Sequence, residues 1–176
     1  LVRLLARGGM SRVYLAEQPG IGRRAAVKIV RQPHAIGDEW QQRFRREGRA
    51  ASRLQHPNIV VVYNVGQLAD GSLFMAMEYI DGVRLAALIE DGALPPGRAL
   101  TVARQCAAAL ASAHDTGVVH RDLKPDNIML TEVAGADHVK ILDFGIARLS
   151  GESGLTMDGE LLGTPRYMSP EQARGE

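Results

Sequence analysis

The feature that most constrains the fold is a change of texture at Asp81-Gly82. Before it, alternating and β-branched runs are separated by turn residues: "SRVYLAEQ" and "AAVKIV" flank "PGIGRR", and "NIVVVYNVGQL" and "SLFMAMEYI" flank "ADG". That pattern predicts two antiparallel hairpins, with Leu1 to Leu5 as a first strand beside them. Between the hairpins, Trp40, Phe44, Ala51 and Leu54 recur near helical spacing and Pro57 follows. One amphipathic helix over Asp38–Leu54 is the expectation. After Asp81-Gly82 the chain turns alanine-rich: Leu100 to His114 reads as a helix small-sided on all faces, with Gly117 as its stop. Short strands are expected at "VVH", "NIML" and "VKILDF", and an irregular polar stretch from Ile146 to Arg166. The fold class this implies is α+β: a small antiparallel five-stranded part with one helix (1–80), then a mainly helical part (81–176).

The chain has 176 residues, 45% of them apolar and 23% charged, which suffices for a packed core. Its 21 basic and 20 acidic residues leave a net charge of +1, so nothing in the overall charge points to nucleic acid or an anionic membrane. Anion binding, if present, is local. Cys106 is the single cysteine, which excludes an internal disulfide and a cysteine-based metal cluster and favours a reducing, cytoplasmic compartment. No apolar run approaches the roughly 18 to 20 residues needed to cross a bilayer. The start at Leu1, inside a strand pattern, suggests a fragment of a parent chain that has its membrane anchor, if any, elsewhere.

The chemistry concentrates in "HRDLKPDNIML", His120 to Leu130. Asp122, Lys124 and Asn127 bring a carboxylate, an ammonium and an amide into one tight loop. A carboxylate accepts a hydroxyl proton, an amide oxygen holds a hard cation such as Mg²⁺, and a lysine neutralises a transferring phosphoryl group. A polar turn with a salt bridge accounts for a lone His-Arg-Asp triplet, but poorly for the whole segment. Sixteen residues after Asn127 comes "DFG", Asp143 to Gly145, where the aspartate offers a second metal ligand. Upstream, Lys28 is the single charge within "AAVKIV", and Glu47 lies in "RFRREGRAASRL". Read singly, these two are a strand lysine snorkelling to water and one solvated helix charge.

In this order and spacing the set resembles the eukaryotic-like (Hanks-type) serine/threonine protein kinases of bacteria, over nearly all of the chain. The resemblance implies the two-lobed protein kinase fold, with residues 1–80 as the small lobe and 81–176 as an incomplete large lobe. It implies ATP with Mg²⁺, or Mn²⁺ in its place, as cofactors and protein serine and threonine hydroxyls as substrates. By the resemblance, Lys28 holds the α- and β-phosphates and pairs with Glu47, Asp122 is the catalytic base, and Asn127 and Asp143 hold the metal. Lys124 and Thr164, in "GTPRYMSPE", match Ser/Thr rather than Tyr kinases. Glu78 to Ile80 correspond to the hinge that meets the adenine, Met77 to the gatekeeper, and Val13, Ala26 and Met129 to the walls of the adenine site.

Against the family's GxGxxGxV lid this chain has Ala6, Gly8, Ser11 and Val13, keeping the middle glycine, where the backbone comes closest to the phosphates. The expectation is a working but atypical phosphate lid. A pseudokinase, a nucleotide-binding or scaffold module without turnover, is the alternative. A small-molecule phosphotransferase of the aminoglycoside kinase type shares the catalytic loop but usually lacks "DFG" and "GTPxYMSPE". The resemblance also implies that Arg121 pairs with a phosphorylated activation-loop residue, best Thr156, with Ser150 and Ser153 behind it and Arg148 or Arg166 assisting. Such autophosphorylation in trans calls for a kinase homodimer. The family continues through several helices beyond "SPEQARGE", so the expectation is a truncated domain.

Overall fold

A computed structural model describes residues 1–8, 11–30, 38–144 and 165–174. The first part is an antiparallel sheet of β1 (Arg3–Arg7), β2 (Ser11–Gln18), β3 (Arg23–Val30), β4 (Val62–Gln67) and β5 (Leu73–Glu78), in the order β1-β2-β3-β5-β4. Consecutive strands pair as hairpins, except that β5 returns beside β3 and leaves β4 at the edge. Helix α1 (Asp38–Ser52) covers this sheet. Trp40, Phe44, Glu47, Gly48 and Ala51 form its buried stripe at 3.6-residue spacing, with Trp40 stacked on Phe44 at 6.1 Å. Gly48 permits the close approach, since a Cβ there would stand 2.7 Å from a Val65 methyl on β4. The core between helix and sheet joins Phe44 and Ala51 to Leu73, Met75 and Met77.

The second part begins with β6 (Val83–Arg84) and α2 (Leu85–Glu90), followed by α3 (Pro96–Asp115). Helix α3 starts four residues earlier than the sequence pattern suggests, because Pro96 suits the first helical position, where no N–H is needed. It stops at Gly117 (φ +76°), whose N–H donates to His114 while Val118 N–H donates to Ala113. This Schellman arrangement uses the Val118 N–H, so "VVH" is not a strand. Strands β7 (Ile128–Val133) and β8 (Ala136–Ile141) form a hairpin whose Ala134-Gly135 turn has both residues at positive φ. With β6 they make a sheet in the order β6-β7-β8, packed on α3 through a second core of Cys106, Ala109, Ala113, Val139 and Ile141. Helix α4 (Pro170–Ala173) closes the described chain, with Ser169 and Gln172 forming a capping box.

Candidate active site

The site lies where the two sheets meet, and each half is built differently. On the first sheet, Val13 pairs with Lys28 across β2–β3, while Lys28 and Ala26 pair with Met75 and Met77 across β3–β5. Lys28 therefore lies on the same face as Ala26 and Val30, both buried in the core. The alternation that makes β3 a strand thus turns its single charge inward rather than to solvent. Lys28 Nζ lies 2.7 Å from Asp143 Oδ2, a pair 115 residues apart in sequence and about four-fifths and three-quarters buried, respectively. Glu47 is 9% exposed on the buried stripe of α1, while the ion pair of Lys28 among the described residues is with Asp143. Gly8 N–H donates to Ser11 O at 2.8 Å, and a Cβ at Gly8 would stand 3.1 Å from Ser11 Oγ. Clearance, not an unusual φ, is what glycine provides there.

The other half is a short loop that holds itself. Lys124 Nζ reaches both carboxylate oxygens of Asp122, at 2.9 and 3.1 Å. Asn127, buried on the 3₁₀ turn Pro125–Asn127, donates from Nδ2 to the Asp122 carbonyl at 2.8 Å and to Asp122 Oδ2 at 3.0 Å. His120, 2% exposed, bonds Leu142 O through Nε2 at 2.8 Å and accepts the Asp122 N–H on Nδ1 at 3.3 Å, which makes it the Nε2–H tautomer. Its ring meets Phe144 edge-on at 4.7 Å. Burial pushes the His120 imidazole below its ordinary pKa, outweighing the Leu142 carbonyl and the Asp143 and Asp122 charges that favour protonation.

Leu142 joins the halves. Its N–H donates to Asn127 O at 2.8 Å and its carbonyl takes the His120 bond, so the residue before Asp143 is tied to the loop on both its backbone groups. Arg121 (φ +65°) and Asp143 (φ +58°) both occupy the left-handed region, which costs an ordinary residue of order 1–3 kcal/mol. Neighbouring bonds hold that strain: Gln172 Nε2 donates to Arg121 O at 2.6 Å, and Lys28 grips Asp143.

Of the remaining predicted residues, Met77 lines one small apolar cavity with Asp143, beside Phe144. Met129 pairs with Lys140 on β8, and Ile80 packs on the first core. Glu78 donates its N–H to Val61 O at 2.8 Å, and its carboxylate accepts Lys140 Nζ at 2.8 Å. Sequence reasoning misses this Glu78–Lys140 pair, since two charges on separate strands carry no local signal of meeting. Gly145, Thr156 and Thr164 lie outside the described residues.

The family model described as "Protein kinase domain" matches residues 1–176. Serine/threonine-protein kinase pkn2 of Myxococcus xanthus is 40% identical over 178 residues, covering 99% of this chain and 21% of that protein. Serine/threonine-protein kinase PrkC of Bacillus subtilis is 42% identical over 176 residues, covering 99% and 26%. The crystal structure of the Mycobacterium tuberculosis PknI kinase domain is similar with a TM-score of 0.71 at 36% identity, covering 84% of this chain and 63% of that one. The crystal structure of Rad53 1-466 in complex with AMP-PNP gives a TM-score of 0.77 at 28% identity, covering 99% and 42%. The chain thus spans about a fifth to a third of the curated relatives it matches. No helix among the described residues is long and apolar enough to cross a membrane. With the two-lobed fold and a match that runs its whole length, the chain belongs to the protein kinase domain family.

Proposed function

We propose that the protein containing this chain is a serine/threonine protein kinase that transfers the γ-phosphoryl group of ATP to serine and threonine hydroxyls of proteins. One observation carries the reading above the others: Asp122, Lys124 and Asn127 lie within hydrogen-bonding distance of one another, in a loop joined through Leu142 to Asp143 and Lys28. Phosphoryl transfer is catalysed mostly by positioning and charge stabilisation, and these groups have the charges and spacing for both.

In this reading Asp122 orients the attacking hydroxyl and takes its proton, while Lys124, already on that carboxylate, stabilises charge on the phosphoryl group in flight. Lys28 holds the α- and β-phosphates, with Glu47 on the buried face of α1 as its second anionic partner. Ala26, Val13 and Met129 enclose the adenine and Met77 closes its back. The Glu78 N–H is already given to Val61, which leaves the Glu78 carbonyl and the Ile80 backbone for the base. Ala6, Gly8 and Ser11 shape the lid over the phosphates, and Ser11 adds a hydroxyl donor.

Asn127 and Asp143 fit a hard divalent cation: both offer oxygen, and the Asn127 amide nitrogen is fully engaged by Asp122, so its oxygen is the group left for a metal. Bound Mg²⁺ supplies neutralisation of phosphate charge and a template for its orientation. Lys28 Nζ lies on Asp143 Oδ2, which sets the cation that would meet the phosphates beside the carboxylate that would hold the metal.

Residues 1–80 and 81–176 are read as the small lobe and part of the large one. Thr156 is the proposed acceptor of an activating phosphate that pairs with Arg121, added in trans by a second copy, and the setting is cytoplasmic.

The test is phosphorylation with labelled ATP and Mg²⁺ by the full chain beside its Asp122→Asn variant, with mass spectrometry of the products. Label on Ser or Thr that disappears in the variant is expected. Folded wild-type protein that binds nucleotide and labels nothing, itself included, would overturn the reading in favour of a pseudokinase.

A further inference from the structure

Strand β8 is an edge strand, yet its outer edge is paired from the Asp137 carbonyl to the Ile141 carbonyl. In the order β6-β7-β8 one side of β8 meets β7, and among the described residues no strand of that sheet lies on its other side. The outward backbone groups there are those of Asp137, Val139 and Ile141, and Val139 and Ile141 are completely buried. Buried backbone groups left without partners are costly, so something must stand in for the missing strand.

Two side-chain amides and one loop do so. Gln105 on α3 donates from Nε2 to Asp137 O at 2.8 Å and accepts the Val139 N–H on Oε1 at 2.9 Å, as the backbone of a neighbouring strand would. Asn58 takes over at the next step: its Nδ2 donates to Val139 O at 2.8 Å, and its backbone carbonyl accepts the Ile141 N–H at 2.8 Å. Val60 N–H completes the row on Ile141 O at 3.0 Å. A further bond, Asn58 Nδ2 to Gln105 Oε1 at 2.8 Å, locks the two amides together. Turning Gln105 over would set its amide nitrogen against the Val139 N–H, and turning Asn58 over would set its amide oxygen against the Val139 carbonyl and Gln105 Oε1, so the network admits one orientation. The row ends two residues before Asp143, and Leu142 between them is bonded to Asn127 and His120.

We propose that Gln105 is a positioning residue: with Asn58 it forms an amide clamp that substitutes for a neighbouring strand along β8 and fixes the rise of that strand into Asp143. Its value for catalysis rests on the kinase reading above; its value for the geometry of β8 does not. Gln105 acts through Asp137, Val139 and Asn58, and Asn58 passes the restraint on to Ile141. The same clamp ties α3 to the loop just before β4, so the site face of the first sheet and the metal-side carboxylate are set by one group of bonds.

The test uses the full chain with Gln105→Leu, Gln105→Glu and Arg98→Ala. Glu at 105 keeps the oxygen that accepts from Val139 and Asn58 but sets its second oxygen against the Asp137 carbonyl. Arg98 pairs with the Asp137 side chain from the same helix at 2.7 Å and serves as the control for simple docking of α3 on β8. Two readouts are taken: hydrogen–deuterium exchange over residues 137–143 without nucleotide, and the Mg²⁺ concentration for half-maximal phosphorylation. Gln105→Leu is expected to speed exchange in that segment selectively and to raise the Mg²⁺ requirement by about tenfold, as loss of supporting bonds around a metal site does. Gln105→Glu should give effects between those of Gln105→Leu and the unaltered chain, and Arg98→Ala should change neither. Unchanged exchange over 137–143 in folded Gln105→Leu would overturn the clamp, and so would equal effects from Arg98→Ala. Loss of folding in Gln105→Leu transfers the decision to Gln105→Glu, in which exchange as fast as at the chain ends would likewise overturn it. Faster exchange with an unchanged Mg²⁺ requirement would overturn the positioning role. A wild-type chain without kinase activity would remove the kinase reading alone, and exchange would still decide the clamp.

Discussion

The loop around Asp122 and the junction around Asp143 place two carboxylates at one site by opposite means. Asp122 is held by Lys124 and Asn127, two and five residues away, so its surroundings form wherever that short segment turns. Asp143 is held by Lys28, 115 residues away, at the end of a strand aligned by α3 and by the loop before β4. The first arrangement is local and the second exists only when both sheets are in place. The two carboxylates are therefore held differently: Asp122 by side chains of its own loop, Asp143 by a lysine that only the assembled fold brings to it.

The sharpest way to break this contrast is to remove each carboxylate's charge in turn. Asp122→Asn is expected to lower kcat by about 10²- to 10⁴-fold, as loss of a general base does, with little change in thermal midpoint because the Asn127 bond to its backbone carbonyl persists. Asp143→Ala should also abolish turnover and should cost about 1–3 kcal/mol in stability, since it leaves the mostly buried Lys28 ammonium with no acceptor, whereas Asp122→Asn keeps an amide oxygen for the equally buried Lys124. Kinetics paired with denaturant unfolding checks both; equal stability losses would erase the distinction between the two regions.

Gly48→Ala tests how tightly α1 must sit. Alanine gains up to about 1 kcal/mol in helix propensity. Its Cβ, however, would stand 2.7 and 2.9 Å from the two Val65 methyls, and a β-branched side chain has little room to turn away. Overpacking costs about 1–3 kcal/mol, so the net effect should be destabilising, read as a lower midpoint in urea.

The smallest expected effect sharpens the comparison at His120, which touches both halves. Its folded pKa is depressed below the ordinary value of about 6.5, chiefly by burial, so the unfolded chain binds the proton more readily. Stability is then fully present above about pH 6.5 and falls as pH drops from there towards the folded pKa. Asp143, Asp122 and Lys124 are the charges that face it, the two acids opposing the shift and the lysine adding to it. Thermal midpoints from about pH 7.5 to about pH 5.0 should fall more steeply for wild type than for His120→Gln.

Much of the site is legible in the sequence. "HRDLKPDNIML" and "DFG" mark Asp122, Lys124, Asn127 and Asp143 because their chemistry is dense and close along the chain. The strands of the first sheet follow from alternation and turn residues, and Gly117 marks the end of α3. "VVH" misleads because two β-branched residues read as a strand whether or not their N–H groups are free, and the helix ending takes one of them. The burial of Glu47 is hidden because a glutamate among arginines looks solvated until its face of α1 is known.

The sequence by itself determined the strands of the first sheet, helices α1 and α3 and the catalytic loop, because propensity, periodicity and hydrogen bonds over two to five residues are properties of a short segment. Only the tertiary structure decided that Lys28 meets Asp143, that Lys140 meets Glu78, and that Gln105 and Asn58 complete the edge of β8. Those pairings depend on which strand edges and helix faces come together. Nothing in the spacing of residues along the chain encodes the distance between groups that only the packed cores bring into contact.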